Sequence, residues 1–427
     1  MSIKKSTLLV SSFILLGRIT GLFREWLLSS VEGANEKTDI AIIAFTFPDL
    51  IINLVLGGGL AATLIPALNK ENSANKKELA QQLGFLVFII FTVLVLIFSI
   101  NLTPILKILG PGISDIALRK ATPSFIFVLI SIPISAISGV LSAYLNSNLK
   151  FAIAASGTIF INLGIIIGLA SKLPLLWGVS IGILLGTLLR FSIQNMSSRL
   201  YDLFHIFKSL NFLKSKNLIT KSLLKKFTLN FSFVSVLIFI PIMGRSWAST
   251  LGEGSLTIFN YSFKLIELPM GIIIGSLNTV LLSNLSINSS RSHIFKTVKY
   301  VFFLSLMISI PAIIFAPLLI NIVYFKNTLN PFQIEQLIFI TRFGFLFLIG
   351  QALTSTLGTI LAAIEKQNIL LPIGLFMLII INLFCLLNQD LSMAYLIFSI
   401  GITYIISSLL LLIYLAKVTR IKNPKLV

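Results

Sequence analysis

Twelve apolar runs of about twenty residues or more, parted by short polar or charged breaks, govern what this chain of 427 residues can fold into. A helix needs roughly 20 apolar residues to cross a bilayer, and in lipid its backbone groups must pair within the helix itself. The runs fall at about 7–30, 39–68, 82–105, 122–145, 152–171 and 174–195, then at about 227–250, 256–286, 299–324, 336–363, 368–388 and 393–416. Hydrophobic residues make up 56% of the chain and charged residues 11%, against about 25% charged in a soluble domain. That balance excludes a water-soluble enzyme, a disordered chain and a disulfide scaffold, and leaves an all-α polytopic membrane protein. The first run carries Arg18 and Arg24 and is longer than the apolar stretch of a cleavable leader, so it is expected to stay as a helix. A single cysteine, Cys385, and two histidines in polar loops, His205 and His293, offer no internal disulfide and no metal centre. Neither a metal nor another cofactor is expected.

The halves of the chain resemble each other. Gly139-Val-Leu-Ser-Ala-Tyr-Leu-Asn-Ser-Asn148 precedes Ile161-Asn162-Leu163, and Gly358-Thr-Ile-Leu-Ala-Ala-Ile-Glu-Lys-Gln367 precedes Ile381-Asn382-Leu383. The glycines are 219 residues apart and the triplets 220. Six crossings return the chain to its starting side, so the copies would share one orientation about an axis along the membrane normal. The expected architecture is therefore about twelve transmembrane helices in two parallel six-helix lobes around a central cavity. The lobes would be residues 1–196 and 227–416, joined by a basic connector, 197–226, and followed by a basic tail, 417–427. The connector, rich in Lys and partly amphipathic, is expected to lie on the cytoplasmic lipid surface; a regulatory or partner-binding segment is the alternative. The two longest runs exceed the bilayer, and Pro48 and Pro269 are placed to kink them. Gly57, Gly58 and Gly59 lack the following Lys and Ser/Thr of a phosphate loop, and so read as a hinge or a close-packing site.

The formal net charge is +19. With both termini cytoplasmic, most of that excess falls in cytoplasmic segments, as the positive-inside rule requires. It therefore reports orientation and attraction to anionic lipid. The informative charges are those within the runs, because an ionisable group at membrane depth is costly. Arg190, Arg245 and Arg342 lie near helix ends and are expected to snorkel. Arg18 lies roughly 20 Å along its helix from Lys4 and Lys5, near mid-membrane. Arg24 is closer to the other surface, with Glu25 beside it, and Asp39 and Asp49 are candidate acid partners. Lys264 and Glu267 stand at i, i+3, close enough to pair. These groups read either as internal ion pairs or as the wall of a basic, water-filled cavity for an anionic substrate. Guanidinium forks match phosphate oxygens, so a phosphate or pyrophosphate head group is the natural cargo of such a cavity. The acids are scattered and no catalytic motif stands in a fitting context, so a transporter is expected rather than an enzyme.

Gly17-Arg18-Ile19-Thr20-Gly21-Leu22-Phe23-Arg24-Glu25 resembles the S-R-x-x-G-F-x-R-D signature of the MurJ (MviN) lipid II flippases. The likeness continues in order through Thr38-Asp39, Phe47-Pro48-Asp49-Leu50, Leu64-Ile65-Pro66, Leu109-Gly110-Pro111-Gly112, Asn162, Arg245 and Asn260-Tyr261-Ser262-Phe263-Lys264-Leu265-Ile266-Glu267-Leu268-Pro269. That family belongs to the multidrug/oligosaccharidyl-lipid/polysaccharide (MOP) exporters. The resemblance implies a flippase of the bacterial cytoplasmic membrane, moving the undecaprenyl-pyrophosphate-linked peptidoglycan precursor outward by alternating access. It implies that Arg18, Arg24 and Lys264 hold the pyrophosphate and that Asp39 is a gate acid. The expected partners are the anionic lipid-linked substrate and membrane lipids, with unidentified cell-wall synthesis proteins as candidates and no nucleic acid. Lys264 stands where the family has arginine, keeping the charge without the fork. Ile52-Asn53 replace a basic pair, Gly57 replaces a glutamate, and the family's last two helices have no counterpart before Val427. These departures leave room for a different polyprenyl-linked glycan, or for a membrane scaffold that retains the fold without transport.

Overall fold

A computed structural model describes residues 3–54, 60–201, 218–221, 238–275, 277–278, 291–324, 328–364, 366–388 and 391–421. All regular structure among them is helical. Eight helices of the described residues are long and apolar enough to cross a membrane. The chain divides into two compact units, one of 1–28 and 35–238, the other of 29–34 and 239–427.

The first unit holds α1 (Ile3–Val31, whose last turn belongs to the second unit), α2 (Glu36–Leu54), α3 (Leu60–Lys70), α4 (Ser73–Ile100), α5 (Leu102–Leu109) and α6 (Asp115–Ala121). It continues with α7 (Phe125–Ser147), α8 (Phe151–Ala155), α9 (Gly157–Leu169) and α10 (Leu175–Ser198). The run expected at 82–105 begins earlier, because the Asn72 side chain accepts from the Asn75 amide and starts α4 ahead of the apolar stretch. The same run breaks at Asn101, between α4 and α5. The run at 39–68 is described as α2 and α3; residues 55–59, with Gly57, Gly58 and Gly59, lie outside the described residues. The tightest packing is α9 on α10. A Cβ on Gly164 would meet the Gly182 carbonyl oxygen at 2.3 Å and the Gly186 Cα at 2.8 Å. Only glycine lets these backbones touch, which replaces a hydrophobic driving force that lipid cannot supply.

The second unit holds α11 (238–249), α12 (Ser255–Pro269), α13 (Arg291–Ile314), α14 (Ala316–Val323), α15 (Pro331–Ala363), α16 (Leu370–Leu387) and α17 (Met393–Ile421). After Pro269 the helix continues as a π-turn, Met270–Ile274, since proline has no amide hydrogen for the α-ladder. The run at 299–324 is α13 and α14, parted at Phe315, with proline in the first turn of α14. The 29–34 turn packs within this unit. Gly33 sits at φ +71°, and a Cβ there would meet the Thr328 hydroxyl at 2.6 Å. Buried Tyr261 donates to the Gly33 carbonyl (3.2 Å), and Gln333 Nε2 to that of Ala34 (2.8 Å). Gln333 also completes a capping box with Asn330 at the start of α15.

Candidate functional site

In the first unit Arg24, Glu25 and Asp49 come together at α1. Gly17 lets α1 lie against α9, where a Cβ would meet the Thr158 hydroxyl at 2.5 Å. Asn162 of α9 then reaches α1, donating from Nδ2 to the Gly17 carbonyl (3.1 Å) and the Thr20 hydroxyl (3.2 Å). Its Oδ1 accepts from Arg24 Nη1 at 3.0 Å. Arg24 Nη2 donates to Glu25 Oε1 at 2.7 Å, and Asp49 Oδ2 lies 3.9 Å away. The Arg24 guanidinium carbon also stands 4.4 Å from the centre of the Phe45 ring. Arg24 is 3% exposed and Glu25 fully buried. An isolated cation in such a place would be prohibitive; an adjacent carboxylate, an amide oxygen and an aromatic face together make it tolerable. In this conformation Arg24 is an internally paired group. Arg18, on the same helix, is half-buried.

Asp39 is 2% exposed and lies in the first turn of α2, where a negative charge is favoured by the helix dipole. Asn35 caps that turn, its Oδ1 accepting from the Thr38 amide at 3.1 Å. Pro48 is buried within α2, one residue before the half-buried Asp49.

In the second unit, Lys264 Nζ donates to Glu267 Oε2 at 3.1 Å, one helical turn along α12. Every α12 residue from Ser255 to Phe263 is buried, so the pair marks where that helix first becomes accessible. Pro269 follows, at the change to the π-turn.

The snorkelling expected of Arg190 is corrected. Its side chain is fully buried, packed across Gly157, with Nη2 3.5 Å from the Ser142 hydroxyl. A glycine on the facing helix opens the space that would otherwise force this arginine outward. Arg245 is buried as well, at 9% exposure, whereas Arg342 is exposed on α15. Asn162 is the participant that charge-based reading passed over. An amide inside an apolar run was its signal, since a buried polar group demands partners.

The family profile described as "Lipid II flippase MurJ" matches residues 28–427. A protein of Buchnera aphidicola subsp. Schizaphis graminum, named "Probable lipid II flippase MurJ", is 29% identical over 313 residues, 68% of this chain and 58% of that one. The lipid II flippase MurJ of Burkholderia cenocepacia is 26% identical over 298 residues, 67% of this chain and 57% of its own length. The matched stretch thus spans less than two thirds of these curated relatives. Among solved structures, a lipid II flippase MurJ in an inward closed conformation superposes with a TM-score of 0.80 at 22% identity, covering 96% of this chain and 87% of that one. An inward-facing MATE multidrug transporter of the MOP superfamily follows at TM-score 0.75 and 14% identity, covering 99% and 100%. At these identities the structural likeness speaks for the fold.

Proposed function

Because the chain belongs to the MurJ lipid II flippase family, we propose that it moves an undecaprenyl-pyrophosphate-linked peptidoglycan precursor across the cytoplasmic membrane by alternating access. Both termini would face the cytoplasm, and the lobes would be residues 1–196 and 227–416, with a basic cavity receiving the pyrophosphate. Arg18, Arg24 and Lys264 are the cations assigned to it. Glu25, Asp39, Asp49 and Glu267 are the acids that hold or release them.

The observation that carries this reading is the buried Arg24–Glu25 pair on α1, 2.7 Å apart. A carboxylate and a pyrophosphate oxygen present the same acceptor chemistry to a guanidinium fork. Substrate can therefore replace Glu25 without leaving a bare cation in the membrane, so its arrival and departure become exchange steps between two acceptors. Lys264 and Glu267 are arranged for the same exchange, with an ammonium in place of the fork.

The test is complementation in cells depleted of their own lipid II flippase, with lipid II exposure at the outer leaflet as readout. The chain should restore exposure. Arg24→Ala and Arg18→Ala should reduce it at least tenfold while the protein remains inserted and abundant. Unchanged exposure on depletion and rescue, or full activity of both variants, would sink the proposal.

A further inference from the structure

We propose that α15 carries a binding site for an anionic membrane phospholipid, with Arg342 receiving the phosphate and the apolar groove around it receiving an acyl chain. This site is independent of the substrate assigned above.

The groove is a cavity of about 420 Å³ within the second unit. Ile313 from α13 and Phe339, Phe343 and Leu346 from α15 supply its apolar wall, and Arg342 and Glu335 its charges. Positions 335, 339, 342 and 346 follow the i, i+4, i+7, i+11 spacing of one helix face. All four are exposed, Phe339 at 38% and Leu346 at 46%. Phe343 is braced by Phe339, 4.4 Å between ring centres, and by Phe398 of α17 at 4.7 Å, so the groove floor is a rigid aromatic one.

Among the described residues Arg342 forms no hydrogen bond and no ion pair, in contrast to Arg24. Glu335, the only acid on its stripe, makes none either, and stands two turns away, about 10 Å along the axis. The depth of Arg342 explains what can satisfy it. With 33 residues, α15 is roughly 50 Å long against a hydrocarbon core of roughly 30 Å. Centred in the bilayer, it places Arg342 about 7 Å inside the apolar boundary at the Pro331 end. A snorkelling guanidinium reaches the phosphate layer from there. Glu335 lies at the water side of that boundary, beside the capped start of the helix. An exposed cation that reaches the phosphate level by snorkelling, on the wall of an open apolar groove, is complementary to a lipid that has both a negative head and a chain. A neutral zwitterionic lipid matches the groove but leaves the cation uncompensated, and a free phosphate matches the cation but leaves the groove empty.

The experiment places a reporter in the groove itself. Phe339→Trp, in the full chain reconstituted in phosphatidylcholine vesicles, is read as the fluorescence difference from the parent protein. Quenching is compared for equal small fractions of dibrominated phosphatidylglycerol and dibrominated phosphatidylcholine. The expected result is several-fold stronger quenching by phosphatidylglycerol. In the Arg342→Gln background the two lipids should quench alike, and in Arg342→Lys the preference should persist, which separates loss of charge from misfolding. Equal quenching by both lipids with Arg342 present, or an undiminished preference in Arg342→Gln, would overturn the proposal.

Discussion

Asn162 and Asn382 occupy matching places in the two units, and the partners they find differ in kind. Both sit in an Ile-Asn-Leu triplet, and both bind the first helix of their own unit. Asn162 accepts from Arg24 at 3.0 Å and donates to Gly17 and Thr20. Asn382 accepts from Trp247 Nε1 at 3.0 Å on α11, while its amide nitrogen donates to Leu378 within its own helix. The shared part is structural: one carboxamide ties two helices together where lipid offers no hydrophobic driving force. The differing part is charge. The first unit has placed a guanidinium, a carboxylate and an aromatic face on this joint, and the second has kept it neutral. A scaffold needs only the neutral version; the charged one is the joint to which the proposed function assigns the pyrophosphate.

The largest effect follows from breaking the charge balance. Glu25→Ala leaves the 3%-exposed Arg24 without its nearest counter-ion, and Asp49, at 3.9 Å and one-third exposed, is a poor replacement. Removing one partner of a buried pair costs about 3 to 5 kcal/mol. A loss of stability of that size, seen as a lowered thermal midpoint in detergent-purified protein, is expected, with Glu25→Asp intermediate. A Glu25→Ala protein as stable as the parent would show that the charged joint adds nothing to the neutral one.

Asn162→Ala comes next. It removes the acceptor of Arg24 Nη1 and the donor to the Gly17 carbonyl and the Thr20 hydroxyl, but leaves the Glu25 bond in place. A cost of about 2 kcal/mol is expected, between that of a neutral hydrogen bond and a broken ion pair. Denaturation midpoints of Asn162→Ala and Glu25→Ala, measured together, place the amide and the carboxylate in order. A larger loss for Asn162→Ala would make the asparagine the principal partner.

Much of this scaffold was legible in the sequence. The apolar runs located the helices, because burial in lipid permits little else, and the i, i+3 spacing of Lys264 and Glu267 anticipated their contact. The ordered motifs anticipated the family. Arg24 is the instructive exception. Its neighbour Glu25 is adjacent in sequence, and adjacent helical residues do not face each other as a rule. That bond forms with Asn162, 138 residues further on, accepting from the other arm of the fork. Arg190 was misread for the same reason: its depth depends on a missing Cβ at Gly157, on a helix that periodicity does not connect to it. Contacts within a helix follow from spacing, whereas contacts between helices depend on which small residue lets a large one in.

The smallest effect is expected at the neutral joint, and a pair of double-mutant cycles isolates it from packing losses. Trp247→Phe and Asn382→Leu each remove one side of the indole–amide bond while keeping an apolar side chain in place. Their coupling should be about 1 kcal/mol, the net worth of an uncharged buried hydrogen bond. The matching cycle of Arg24→Met and Asn162→Leu should give about 2 kcal/mol, because a charged donor bonds more strongly in a dry site. The coupling, not the single losses, carries the comparison, since each single variant also changes shape and leaves its partner unsatisfied. Equal couplings would mean that the guanidinium contributes to this joint only as another hydrogen-bond donor. Its charge would then be held there for something other than stability.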